Sequence, residues 1–442
     1  MKKSNIILLK ITSLFLLAIS TSCSKESCTY VIECGQKEPE GYMVATNASF
    51  ITTSVGVVYK TTFNSNAPVG GDWNDPSLAT SQVTSIYPTD WNNTTIGQVF
   101  GIALDLTGGI YLSATDIYNY DGIGTSGFGT AGRSGIYKTN INTSGLTTTP
   151  LVTTFIGNSW NYILTNKIPN SGIGSGNSIG NIAYDKAHNQ LFVSNLEDGR
   201  IYRIDATSGN VKSVFDPFAL DTPSNGMVAV GERIWGIGVL TQSGSTEVYF
   251  ARSEATFNSI WSIKLDASGE FIATPQTGQP NVYNDTASSA KVAVAKVGIQ
   301  NKISDIEFSC SGKMLIAERG AAHNSSIYEY KKTGSTWSLS NPFYVGGFSG
   351  QNAAGGVDYG ARESGGSFVT DDIVWASGNY MPTFLNSYLV YGIQGMNSLG
   401  NSGSITPNKS TDLYIDRNAG GPNNKGGMGD VDVFDSSCPC NN

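Results

Sequence analysis

The sequence predicts an all-β chain, a β-propeller of six or seven blades with long loop insertions. Three observations predict it. Only 14% of the 442 residues are charged while 52 are Gly, a balance poor in helix formers and rich in turn residues. Short apolar runs recur along the chain, each bounded by Asp, Asn or Gly. The runs fall into groups of three or four, and such a group buries both faces only when copies stack around an axis. With 10% aromatic residues the chain has apolar bulk for a large core, which excludes a disordered polypeptide. A pI near 4.9 and the lack of a basic run past the N-terminus exclude a nucleic-acid partner. Two His residues, His188 and His323, leave little for a multi-His metal site.

Residues 1–22 read as a targeting segment. Lys2, Lys3 and Lys10 give a basic start, and Ile11–Ile19 is apolar but too short to span a bilayer, which needs roughly 20 residues. Small residues Ser20-Thr21-Ser22 then precede Cys23. This resembles the lipobox of bacterial lipoproteins, with Ser20 where Leu is usual. The resemblance implies cleavage before Cys23, a lipid on that residue and attachment to an outer membrane. Ser24-Lys25-Glu26-Ser27 is similar to the surface-export tag of some Gram-negative lipoproteins and implies display on the cell surface. Removing residues 1–22, with three Lys and no acid, takes the formal charge from −8 to −11. A like-charged membrane repels such a body, so the lipid must do the anchoring. Residues 23–41 are then a tether.

Five cysteines remain after Cys23. Cys28 and Cys34 lie at one end of the chain, Cys438 and Cys440 at the other. An exported chain keeps disulfides. Either the two pairs join where the ends of a closed ring meet, or each end bonds locally; spacing alone does not choose. Cys310, in the strand-like run Ile306–Cys310, reads as a buried thiol.

The body, residues 42–435, carries the repeat. Tyr42–Thr46 and Gly56–Lys60 supply early strands. The first clear unit is Gly101–Asp105, Gly109–Ser113 and Gly135–Lys138. The second is Gly180–Asp185, Gln190–Ser194, Gly199–Asp205 and Gly209–Phe215. The third is Met227–Val230, Arg233–Ile237, Glu247–Arg252 and Ser259–Lys264. The fourth is Ile303–Phe308, Lys313–Glu318 and Ser326–Tyr330. The fifth is Gly356–Asp358, Asp372–Ala376 and Tyr388–Tyr391, and Asp430–Phe434 supplies a last strand. Pairing of the first and last strands would remove two open sheet edges. Residues 436–442 form a Cys-containing tail. Ile182-Ala-Tyr-Asp185, Gln190-Leu-Phe-Val-Ser194 and Gly199-Arg-Ile-Tyr-Arg-Ile-Asp205 resemble a blade of NHL/YVTN-type propellers. The later part, Val390–Gly395 and Lys425–Asp432, is similar to uncharacterised secreted bacterial propeller proteins. These likenesses imply architecture and not chemistry.

Carboxylates recur near the first strand of several units: Asp105, Asp185, Asp305, Glu307 and Asp358. Equivalent positions would ring the axis, where oxygen ligands suit a hard cation such as Ca²⁺. The competing reading is that each Asp bonds its own turn backbone. Glu318, Arg319 and His323 read as a pocket-mouth cluster or as a solvated surface group. The Gly-rich stretches at 121–135 and 170–180 open no helix and carry no Gly-Lys-Ser/Thr, so they do not bind nucleotide. Trp73, Trp91, Trp160 and Tyr118-Asn-Tyr120 fall in polar loops, where aromatics stack on sugars, anchor a partner or pack on the ring. Asp285-Thr286-Ala287 resembles an O-glycosylation sequon of exported Gram-negative proteins, with Thr286 as acceptor. Two functions follow as expectations. One is a non-catalytic binding or scaffold module, with no cofactor, for a protein partner or a glycan. The other is a metal-dependent propeller hydrolase or lactonase whose axial acids hold Ca²⁺ or Zn²⁺.

Overall fold

The alternating apolar runs become strands, and the strands become six sheets. The structure, a computed structural model, describes residues 42–48, 54–61, 69–73, 83–115, 117–118, 129–132, 135–140, 149–152, 179–218, 228, 232–253, 257–284, 289–295, 301–320, 324–346, 351–364, 367–384, 389–397, 411–417 and 427–434. The regular elements among them are twenty-six strands.

Blade I joins the two ends of the described chain. Its order is β26 (Met428–Val433), β1 (Tyr42–Asn47), β2 (Gly56–Thr61) and β3 (Val83–Ile86). Blade II is β4 (Val99–Leu104), β5 (Gly109–Ala114), β6 (Ile136–Asn140) and β7 (Thr149–Val152). Blade III is β8 (Ile179–Asp185), β9 (Gln190–Asn195), β10 (Ile201–Asp205) and β11 (Val211–Asp216). A hairpin of β15 (Thr274–Gln276) and β16 (Gln279–Asn284) extends it, with β16 parallel to β11. Blade IV is β12 (Ile237–Gln242), β13 (Ser245–Ser253), β14 (Asn258–Lys264) and β17 (Ala290–Ala295). Blade V is β18 (Lys302–Phe308), β19 (Met314–Arg319), β20 (Ile327–Thr333) and β21 (Thr336–Phe343). Blade VI is β22 (Ala353–Ser364), β23 (Ser367–Pro382), β24 (Leu389–Asn397) and β25 (Leu413–Asp416).

Six strands, β4, β8, β12, β18, β22 and β26, each pack against the equivalent strand of the blade on either side. They form the inner wall of a closed six-bladed propeller. The apolar core lies between blades as six wedges. One wedge holds Met43, Val57, Trp375, Ile393 and Val431 between blades I and VI. Another holds Phe192, Phe215, Ile237 and Phe250 between blades III and IV. Burial on both faces explains why the strands read as near-continuous apolar runs rather than clean alternation.

Hydroxyls stitch the wedges near the axis. Thr46 Oγ1 donates to the Phe100 carbonyl at 2.7 Å, Ser194 Oγ to Trp235 at 2.6 Å and Ser377 Oγ to Gly429 at 2.5 Å. Each donor sits on the second strand of its blade and each acceptor belongs to the next blade. This is the small polar residue that ends the second strand of the sequence repeat.

One unit departs from the expected boundaries. Met227–Val230 reads in the sequence as the first strand of the third unit, yet Val228 lies outside any strand and Ile237–Gln242 takes that place. Gly238 interrupts its apolar pattern for a steric reason. A Cβ there would lie 2.2 Å from the Ile306 carbonyl oxygen of blade V. The close approach of β12 and β18 therefore requires Gly.

Candidate functional site

Asp105 reaches the rim of the axial cavity, and Asp185 does not line it. Asp105 follows β4 and Asp185 ends β8, and each organises the turn that comes next. Asp105 Oδ1 accepts the Thr107 and Gly109 N–H groups at 2.8 Å each. Gly108 supplies the left-handed residue of that turn, with φ of 84°. Asp185 accepts the Ala187 N–H at 3.0 Å, meets His188 Nδ1 at 2.7 Å and accepts from Gln190 Nε2 at 2.9 Å. The turn reading of these two acids holds, because a strand-end Asp captures local N–H groups before any distant partner.

Asp305 and Asp358 do lie at the axis. With them are Glu307, Asp430 and Asp432, all contributed by the inner strands of blades V, VI and I. The other half of the wall, from blades II, III and IV, offers Ala103, Asp105, Ala183 and Val239, with Asn181 reaching across from blade III. The inner strands carry register shifts beside these positions, between Val99 and Ile102, Ile179 and Ile182, Ile303 and Asp305, and Ala353 and Val357. Such bulges take N–H groups out of the sheet ladder, and the axial side chains accept them. Asp305 Oδ2 takes the Val357 N–H at 2.9 Å, Asp358 Oδ2 the Val433 N–H at 2.7 Å and Asp430 Oδ2 the Ile102 N–H at 3.1 Å. Each acid also accepts the N–H of the residue that follows it, Ile306, Tyr359 and Val431 respectively. Asn181 crosses from blade III and donates from Nδ2 to Asp305 Oδ1 and to the Ser304 carbonyl, both at 3.0 Å. The acids are thus clasps between neighbouring blades.

The acids also lie within one another's field, Asp430 beside Asp305 and Asp358 beside Asp432. Burial raises them all, and pushes Asp305 and Asp432 up to about 7. Asp358 and Asp430 stand well above the usual carboxylate range, for burial first and the neighbouring carboxylate second. Burial and then the field of Asp358 and the other three acids raise Glu307 in the same way.

The axis is closed at one end and hollow at the other. Where the inner strands begin, Phe100 packs on Trp235 with ring centroids 5.1 Å apart. The Arg319 guanidinium lies 5.0 Å from the Tyr118 ring and 5.7 Å from the Phe100 ring. Its Nη1 donates to the carbonyls of Ala354 and Met428, the latter at 2.6 Å, and so links blades V, VI and I. Where the inner strands end, a cavity of about 110 Å³ opens, lined by Glu307, Asp358, Asp432 and Lys186, with Cys310 and Phe434 at its wall. That volume holds a few waters and lies below the roughly 300 Å³ at which small-molecule pockets begin.

Other sequence candidates fall into place or outside the description. Glu318 and Arg319 are not a solvated pair, being 2% and 8% exposed. Glu318 accepts the Ser326 N–H at 2.9 Å, and burial lifts it to about 7. Trp73, Trp91 and Tyr118 are buried ring core rather than exposed loop aromatics. Cys310 is disulfide-bonded rather than a free thiol; its partner lies outside the described residues. Cys23, Cys28, Cys34, Cys438, Cys440, Thr286, Trp160 and His323 lie outside them as well. Among the described residues no group of three or more His, Cys, Asp or Glu side chains is disposed to hold a metal ion. Sequence reasoning passed over Asp430, Asp432 and Asn181 as site residues. The available signal was the alternation Asp430-Val-Asp432, which puts both acids on one face of a strand.

No family model and no curated protein matches the chain. Solved structures similar to it include a hypothetical selenium-binding protein from Sulfolobus tokodaii, at 10% identity and a TM-score of 0.48, covering 90% of this chain and 94% of that one. The nidogen/laminin complex gives 11% identity and a TM-score of 0.47, covering 90% and 100%. A periplasmic gluconolactonase of Pseudomonas aeruginosa gives 9% identity and a TM-score of 0.42, covering 90% and 99%. None of these similarities decides the chemistry of the site.

Proposed function

We propose that the chain is a non-catalytic binding or scaffold module, held to an outer membrane by a lipid on Cys23 and displayed on the cell surface. Its ring presents loops to a protein partner or a glycan. The observation that carries this reading is the use made of the axial acids. Asp305, Asp358 and Asp430 direct their oxygens at main-chain N–H groups of neighbouring blades, which makes the axis a fastening. Supporting it, β5, β7 and β11 end, and β6, β8 and β12 begin, at the face where the inner strands begin. Loops on a rigid scaffold are where binding residues concentrate.

The test has three arms. Cross-linking and pull-down from membranes is expected to recover one partner, and replacing residues 121–128 with a Gly/Ser segment is expected to lose it without lowering the melting temperature. Cys23→Ala is expected to release the protein from membranes, because the lipid is the anchor. Elemental analysis after dialysis is expected to find no stoichiometric metal, and lactones are expected to stay unhydrolysed. Bound metal together with lactone turnover would overturn the reading in favour of a metal-dependent propeller hydrolase.

A further inference from the structure

We propose that the exposed rings of Tyr380 on blade VI and Tyr87 on blade I form a binding site for a neutral glycan, an assignment that rests on the binding role proposed above and names its ligand. Three residues other than Gly among those described have a positive φ: Asn189, Ser243 and Tyr380. Asn189 and Ser243 sit in the tight turns after β8 and β12, where hairpins ordinarily require such a φ. Tyr380, at 58°, sits inside β23. A bulky residue there is an outlier that persists only when its surroundings impose it.

A bulge and Asn379 impose it. The pairing of β23 with β24 shifts register between Gly378 and Met381. Asn379 donates its N–H to the Asn352 carbonyl at 2.9 Å and accepts the Met428 N–H on Oδ1 at 2.8 Å. These bonds tie the bulge to the residue before β22 and to β26. The fold therefore holds, in a strained conformation, a tyrosine that is 41% exposed.

Tyr380 heads a connected row. Tyr391, buried on β24, supports it edge-on, with ring centroids 6.4 Å apart and 80° between the planes. The Arg417 N–H donates to the Tyr391 carbonyl at 3.0 Å, and the Arg417 carbonyl accepts the Tyr87 hydroxyl. Tyr87 is as exposed as Tyr380. Both rings are thus held before a ligand arrives, and rings fixed in advance lose little entropy on binding.

The chemistry selects the occupant. A sugar offers a C–H face to an aromatic ring and hydroxyls to a polar rim, and Tyr supplies an apolar body with a polar tip. Thr84 and Thr89 are exposed and Ser85 half-buried beside Tyr87. Asp416 and Asp72, joined by the Asp416 N–H at 3.1 Å, outnumber Arg417, and the chain carries −8, so an anionic ligand is repelled. A protein interface needs a contiguous apolar core. Among the described residues Val211, Ile272 and Leu339, also exposed, lie on β11, before β15 and on β21, away from this row.

Affinity electrophoresis and calorimetry of the purified protein with dextran, starch, mannan and galactan test the proposal, with alginate and heparin as anionic controls. At least one neutral polymer is expected to retard the wild type, and neither control. Tyr380→Gly relieves the backbone, so it is expected to keep or raise the melting temperature while weakening binding about tenfold or more. Tyr380→Phe keeps the ring and is expected to stay within about threefold of wild type. Tyr87→Ala is expected to weaken binding as well, and it decides if Tyr380→Gly does not fold. Retardation by no neutral polymer, stronger retention by alginate or heparin, or wild-type binding in Tyr87→Ala and in folded Tyr380→Gly overturns the proposal. Capture of a protein partner without glycan binding also overturns it and leaves the binding role standing, whereas metal-dependent lactone turnover strikes that role instead.

Discussion

Met43 and Val433 face each other across an antiparallel strand pair, though nearly the whole described chain separates them. That pairing makes the ring a single closed unit. It also makes the last strand a condition of the fold.

Deleting β26 should abolish cooperative folding. The strand buries Met428, Val431 and Val433, and fully buried side chains of this size contribute about 1.5–3 kcal/mol each. The sum, about 5 kcal/mol or more, is comparable to the whole stability of a domain. A chain ending at residue 427 is expected to lose its near-UV circular dichroism and its sharp melting transition. An unchanged melting temperature would show that closure is dispensable.

Gly238→Ala should destabilise the ring by about 1–3 kcal/mol, the range for overpacking. The obstacle is the Ile306 carbonyl, which is main chain and unable to swing aside. Urea unfolding measures the change. A loss below about 0.5 kcal/mol would mean that β12 and β18 separate freely.

Asp105→Asn should cost about 1 kcal/mol at pH 7, because the carboxylate accepts the Thr107 and Gly109 N–H groups and the Thr107 hydroxyl. These bonds, outweighing burial, hold the Asp105 carboxyl below the usual carboxylate range. A depressed folded pKa contributes stability above about pH 4 that is lost as pH falls through the folded value. Wild type and variant should therefore converge in acid. Equal stability of the two at pH 7 would contradict the assignment.

Non-reducing peptide mapping should join Cys310 to Cys438 or Cys440. Cys310 and Phe434 line one cavity, and Cys438 follows Phe434 by four residues, within reach at roughly 3.3–3.6 Å per residue. A link from Cys310 to Cys28 or Cys34 would refute this. It would also tie the N-terminal tether, rather than the tail, to the cavity rim.

Local chemistry made much of the protein legible in the sequence. Runs such as Gln190–Asn195 announce strands through apolar and aromatic residues, and Asp105 with Gly108, or Asp185 with Asn189, announces a hairpin, because both effects act within a few residues. The repeat of such units implied stacking around an axis, since no single sheet buries both of its faces. Tertiary structure decided the rest. The blade number, six, is decided by which strands pair and by β26 closing on β1. The inner strand of blade IV was missed because Gly236 and Gly238 answer to a backbone across the gap and not to their own neighbours. Asp185 and Asp305 are the same residue type near the same repeat position. Asp185 ends its strand and bonds its own turn, whereas Asp305 lies within β18 and faces Asp430, which arrives only when the ring closes. Burial there raises the pKa of the carboxyl, and burial is a property of the assembled ring rather than of any segment.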